Sequence, residues 1–84
     1  MTEVQRVQTG LRIDGSLVKV LKGLAEYLDM SLGNLVEAVV LHAFEQRSPF
    51  SDETVAVVEQ LRKVYGLTLT AEDSHGILAA EGRL

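Results

Sequence analysis

The stretch VQTGLRID, residues 7–14, constrains the fold of this chain more than any other part of it. Its side chains alternate between apolar and polar, which is the spacing of a half-buried β-strand. The rest of the chain is dominated by helical spacing, so this strand has no partner strand within its own subunit. Since unpaired backbone groups are unfavourable, the pattern predicts that the same strand of a second subunit pairs with it.

The size of the chain also favours association. Its 84 residues allow one small domain, and it has no cysteine to stabilise that domain through disulfides or thiolate–metal bonds. Hydrophobic residues nevertheless make up 46% of the sequence. Oligomerisation is the natural use for that surplus.

Charge is distributed unevenly along the chain. The formal net charge is −4, which by itself argues against a nucleic-acid partner. Residues 1–28 carry four basic and three acidic side chains, a net of +1, whereas residues 29–84 carry four basic and nine acidic ones, a net of −5. Any anion-binding surface is therefore expected in the first third of the chain.

No apolar run approaches the roughly 18 residues that span a bilayer, and the N-terminus lacks the layout of a signal peptide. The sequence therefore predicts a cytoplasmic protein.

Apolar spacing and capping residues predict four helices. Asp14 caps the first, whose leucines recur at intervals of three and four, and Asp29 is expected to take a left-handed conformation after it. Ser31 caps a second, almost wholly apolar helix reaching residue 46. Ser51 caps a third that stops at Gly66, and a short fourth helix covers residues 70–80.

The segment TGLRIDGSLVKVLKGLAEYLDMSLGNLVEAVVLHAFE resembles the ribbon-helix-helix family, the Arc and MetJ class of DNA-binding repressors. The likeness lies in the order of strand, helix, tight turn and helix over residues 7–46. It implies a mainly α fold in which two subunits intertwine as a homodimer through their paired N-terminal strands. Residues 1–6 would then form a flexible arm and residues 47–84 a helical extension.

The resemblance also assigns roles to individual positions. The ribbon would enter the major groove of double-stranded DNA, with Gln8 and Arg12 contacting bases and Gly10 at the central position. Phosphates would be held by the N-terminus of the second helix and by nearby basic groups: Ser31, Leu32, Gly33, Asn34, Arg6 and Lys19. The dimer core would contain Leu11, Ile13, Leu21, Leu24, Leu35, Val36, Val39 and Val40.

Each of these residues has an ordinary structural alternative. Arg12 could pair with Asp14 or Glu3, and Gln8 could simply be solvated. Ser31 is foremost a helix cap, a role compatible with phosphate binding. Lys19 belongs to a charged helix face that water would cover.

Residues suited to catalysis or metal binding are sparse. The chain has no cysteine to join His42 or His75 in a metal site, and the acidic pairs Asp52/Glu53 and Glu72/Asp73 stand where they cap helices. We therefore expect neither enzymatic activity nor a cofactor or metal ion.

Two further interpretations remain open. The C-terminal extension could bind a partner protein, as the tails of antitoxins with this fold bind toxins, although its capped helices favour a packed extension. Alternatively, the ribbon could serve dimerisation alone, without DNA binding. Dimer and higher-order assembly are both compatible with the sequence.

Overall fold

A computed structural model describes residues 3–80 and Gly82. Four helices follow one another along the chain: α1 (Gly15–Tyr27), α2 (Leu32–Phe44), α3 (Asp52–Tyr65) and α4 (Ala71–Ala80). The predicted mainly α class is confirmed.

The predicted N-terminal caps are confirmed for the first three helices. The side chain of Asp14 accepts a hydrogen bond from the amide of Leu17 at 3.0 Å. Ser31 accepts one from Asn34 at 3.1 Å, and Ser51 accepts one from the amide of Thr54 at 3.2 Å. Each cap satisfies one of the amides that a helix start leaves without an intrahelical acceptor.

Left-handed residues end α1 and α3 as the sequence predicts. Asp29 has φ of 55° in the turn that leads from α1 to α2, and Gly66 has φ of 69° at the end of α3. A short polar residue and a glycine are the types that accept this conformation at low cost. The turn at Asp29 reverses the chain so that α2 can pack beside α1.

The core forms around α1, which packs against both α2 and α3. Leu24 and Ala25 of α1 and Leu35 of α2 are buried together, and α3 contributes Val57, Val58 and Leu61 as partly buried neighbours. Close approach between α1 and α3 depends on Gly23, because a Cβ there would lie 3.1 Å from a methyl group of Leu61.

The predicted N-terminal ribbon is wrong for this structure. Residues 3–14 contain no strand, and no backbone group of residues 3–13 forms a backbone–backbone hydrogen bond with another described residue. The physical reason is that a strand is defined by its pairing, and this chain supplies no antiparallel neighbour. The intertwined homodimer inferred from that pairing is withdrawn with it.

The isolated chain leaves much of its surface in water. Its accessible surface is 7125 Å², whereas a folded monomer of this size exposes about 4900 Å². Much of the excess is apolar: Val7 and Leu11 of the N-terminal segment (residues 3–13), and Val40, Leu41 and Phe44 of α2 are all exposed. The helix α2, which the sequence predicts to be central, therefore has only one of its faces covered in the single chain.

Candidate nucleic-acid interface

The N-terminal segment presents its polar side chains to solvent. Gln8 and Arg12 are both exposed, and Gly10 between them has no heavy atom within 4 Å of the position a Cβ would take. Arg12 forms no ion pair with any residue that the structure describes, so neither Asp14 nor Glu3 neutralises it. These three positions are thus accessible to a ligand.

Arg6 fastens the other end of this segment to α2. Its guanidinium donates a hydrogen bond to the Glu37 carboxylate, with 3.1 Å between Nη2 and Oε1. Glu37 lies one helical turn beyond Asn34, so the contact brings the segment beside the first two turns of α2. Both side chains remain about half exposed, and such pairs contribute little to stability, so another partner can replace either one.

The N-terminus of α2 carries the predicted phosphate-binding positions. The Ser31 hydroxyl already accepts from the Asn34 amide, which leaves the amides of Leu32 and Gly33 as those without an intrahelical acceptor. Gly33 is exposed with open space around it, so a backbone or phosphate can approach. The first turn of α2 has no acidic side chain, unlike those of α3 and α4. The helix dipole there is not already neutralised.

One atom at this end of α2 is poorly satisfied. Asn34 Oδ1 is buried and has no hydrogen-bond partner among the described residues. As an acceptor it offers nothing to a phosphate oxygen. The predicted contribution of Asn34 to phosphate binding rests on the other side-chain atom, the amide nitrogen Nδ2, which is a donor.

The residues predicted for the dimer core divide into two groups. Leu24 and Leu35 are buried within the single chain, and Leu21, Val36 and Val39 are partly buried. Leu11, Ile13 and Val40 are exposed, with Leu11 at 72%. Only the second group is free to contact another molecule.

Lys19 lies exposed on α1, without an ion pair to any described residue. The structure gives it no contact with the N-terminus of α2.

Asp14 connects the segment to α1 and is electrostatically stabilised there. The Ser16 hydroxyl donates to its carboxylate, as does the Leu17 amide, and these bonds lower the pKa of Asp14 below its ordinary value. The carboxylate therefore stays ionised at neutral pH and continues to cap α1.

Two features of this region were not found from the sequence. The Arg6–Glu37 pair joins positions 31 residues apart, and one groove is lined by both Arg12 and Arg62 of α3. Neither has a local sequence signal, because both depend on how the helices pack.

His42, which the sequence gives no metal partner, hydrogen-bonds within α2: its Nδ1 lies 2.7 Å from the Ala38 carbonyl oxygen. Among the side chains that the structure describes, no group of three histidine or acidic residues is arranged to hold a metal ion. No helix within residues 3–80 is both long enough and apolar enough to cross a bilayer.

Comparison of the chain with protein-family models, with curated proteins and with solved structures finds no match in any of the three.

Proposed function

We propose that this protein is a DNA-binding regulator that acts in the cytoplasm as a homodimer. The observation that carries the proposal is the N-terminal segment, which runs without a turn or a backbone partner and exposes Gln8 and Arg12. A segment of this kind can enter a groove of DNA, because it is narrow and its side chains are free. Strand pairing between subunits is not part of the proposal.

Arg12 and Gln8 supply the chemistry for reading bases. A guanidinium donates two parallel hydrogen bonds to guanine, and a glutamine amide both donates to and accepts from adenine. Gly10, with no side chain, lets the segment come close to the bases between these two contacts. We therefore assign base recognition to Gln8 and Arg12 and close approach to Gly10.

The N-terminus of α2 supplies a phosphate anchor beside the segment. The free amides of Leu32 and Gly33 and the positive end of the helix dipole favour an anion there. Arg6 lies about one helical turn away through its contact with Glu37. On DNA, Arg6 would exchange the Glu37 carboxylate for a phosphate.

The apolar surface left in water supports a dimer. The chain exposes about 2200 Å² more than a folded monomer of its size would, and obligate dimer interfaces bury about 2000 Å² or more, summed over both subunits. Val40, Leu41 and Phe44 form an exposed patch on one helix, which we call the α2 patch. A second copy of the chain, covering this patch, would also present two N-terminal segments to the DNA.

The acidic balance of the chain predicts weak non-specific binding. Each phosphate neutralised contributes a salt slope of about 0.9, and the segment offers few basic groups. Specificity would therefore depend on the base contacts and on more than one dimer per operator.

The test is a fluorescence-anisotropy titration of DNA from upstream of the protein's own gene, at low salt. Arg12→Ala should weaken specific binding at least about fivefold, since a bidentate arginine–guanine contact contributes about 1–3 kcal/mol. Lys63→Ala is the matched control, because Lys63 is an exposed cation on α3, far from the segment in sequence. The proposal would be refuted if the unaltered protein did not bind this DNA, or if both variants lost affinity equally.

A second candidate function is a protein-interaction module. It is favoured by α4, which makes no packing contact with another helix within the described residues, and by the acidic C-terminal extension, residues 47–84, with four basic and six acidic side chains. Such an extension fits a basic partner. Deleting residues 71–84 separates the two functions: DNA binding should persist, whereas capture of a partner would be lost.

A further inference from the structure

An open groove lies between the end of the N-terminal segment and the C-terminal part of the chain. Its volume is about 680 Å³, within the range of about 300–1000 Å³ that small-molecule sites occupy. Its walls are largely aliphatic and carry two guanidinium groups: Ile13, Leu17, Leu67, Leu69, Arg12 and Arg62. The groove thus combines an apolar body with two guanidinium groups.

The two arginines have unused donors. Arg62 donates one hydrogen bond to the Leu69 carbonyl oxygen at 2.9 Å, and a guanidinium has five N–H groups. Arg12 has no salt bridge or side-chain hydrogen bond with any described residue. Two cations beside an apolar surface, each with free donors, favour an acceptor that carries negative charge.

Two carboxylates also border the groove, but both are engaged by the helices they cap. Asp14 accepts from Ser16 and Leu17. Asp73 accepts from the Thr70 amide at 2.7 Å and from the Thr70 hydroxyl at 3.2 Å. These bonds all go to Oδ2 and hold both carboxylates at their helix starts, whereas the arginine donors are free to turn toward a ligand.

We propose that this groove binds a small apolar molecule bearing one carboxylate, with Arg12 and Arg62 holding the carboxylate and the leucines covering the apolar body. Arginine and carboxylate pair bidentately, which fixes the orientation of the ligand as well as its charge. A medium-chain fatty acid such as decanoate combines these two features and is small enough for the groove.

The ligand would also regulate the proposed function. Arg12 cannot hold a carboxylate in the groove and contact a base at the same time, so ligand and DNA would exclude each other. This second step rests on DNA binding, whereas occupancy of the groove does not.

The test is a titration of the full chain with decanoate, below its micelle-forming concentration and without DNA, followed by amide chemical shifts. Shifts should concentrate at residues 12–17 and 67–74. Decanol and decyltrimethylammonium carry the same alkyl chain without the negative charge and should bind at least fivefold more weakly. Arg12→Gln should weaken decanoate at least fivefold, and Lys63→Gln, which removes a charge outside the groove, less than twofold.

Several outcomes would overturn the groove assignment. The first three are no decanoate binding, equally strong binding of the cationic amphiphile, and chemical-shift changes confined to the α2 patch. The fourth is a change of shifts at residues 67–74 when the protein alone is diluted, which would mean that a second copy of the chain occupies the groove. DNA is then added as a separate measurement. Decanoate binding with no DNA binding would sustain the groove and refute the regulator, and DNA binding without decanoate binding would do the reverse.

Discussion

The guanidinium of Arg6 lies 3.1 Å from the carboxylate of Glu37, across 31 positions of sequence, and this contact ties the N-terminal segment to α2. The other end of the segment is fixed where Asp14 caps α1. The two attachments hold Gln8, Gly10 and Arg12 between them on the outside of the molecule. In the proposed regulator, Glu37 competes with DNA for Arg6.

Replacing Glu37 by Gln should strengthen DNA binding. The substitution removes the carboxylate that holds Arg6 and lowers repulsion of phosphate. An exposed pair of this kind contributes about 0.2–1 kcal/mol, so the affinity should rise by a factor of about 1.4 to 5. Anisotropy titrations measure the change. Glu26→Gln on α1 changes the charge equally and removes no ion pair with a described residue. A similar gain in both variants would show that net charge alone is responsible.

Substitution in the α2 patch should break self-association. Phe44 is 79% exposed in the single chain, and buried aromatic side chains are frequent centres of binding energy at interfaces. Phe44→Gln should weaken the dimer at least about tenfold by sedimentation equilibrium. Val64 of α3 is 71% exposed and provides the control through Val64→Gln. A dimer that survives the Phe44 change and not the Val64 change would place the interface on α3.

Ser31 allows the cap to be separated from the phosphate anchor. Ser31→Ala should lower the free energy of unfolding by about 1 kcal/mol, because the Asn34 amide loses its acceptor. Ser31→Asp keeps a good cap but places a negative charge where the phosphate would bind, and should weaken DNA about five- to tenfold without loss of stability.

The control for the aspartate variant is Ser51→Asp, which makes the same change at the start of α3. Urea unfolding and DNA titration are measured on all three proteins. Equal loss of DNA affinity at positions 31 and 51 would contradict a local anchor at α2.

Acid should weaken α1 through Asp14. The pKa of Asp14 is lowered in the folded chain by its hydrogen bonds to Ser16 and Leu17, so the unfolded state binds the proton more readily. The stabilisation is therefore present above the unfolded pKa and is lost as the pH falls through the folded one. Asn is also a good N-cap and does not titrate, so Asp14→Asn should remove this contribution to the pH dependence.

This expectation is checked by measuring helix content with circular dichroism from about pH 6 to about pH 2.5, which spans the ordinary titration range of carboxyl groups. The other carboxylates titrate in both proteins, so the difference between the two curves isolates Asp14. Curves that coincide would contradict the assigned role.

The sequence by itself determined where the helices begin and end. Asp14, Ser31 and Ser51 cap amides three residues away, and Asp29 and Gly66 accept left-handed conformations, all within one turn of chain. These are short-range effects, and their energies depend on the residues that carry them. The apolar spacing of α1 likewise predicted that Leu24 would be buried.

Tertiary structure alone decided the surroundings of residues 7–13. Alternation with a period of two indicates that the two faces of the segment differ in polarity. A strand also needs a second backbone to pair with, and no sequence pattern supplies one. Likewise, the contact of Arg6 with Glu37 and the groove that Arg12 and Arg62 both line depend on the directions in which α2 and α3 leave α1. Contacts between distant positions are set by packing, which is why local patterns placed the helices and missed the surfaces between them.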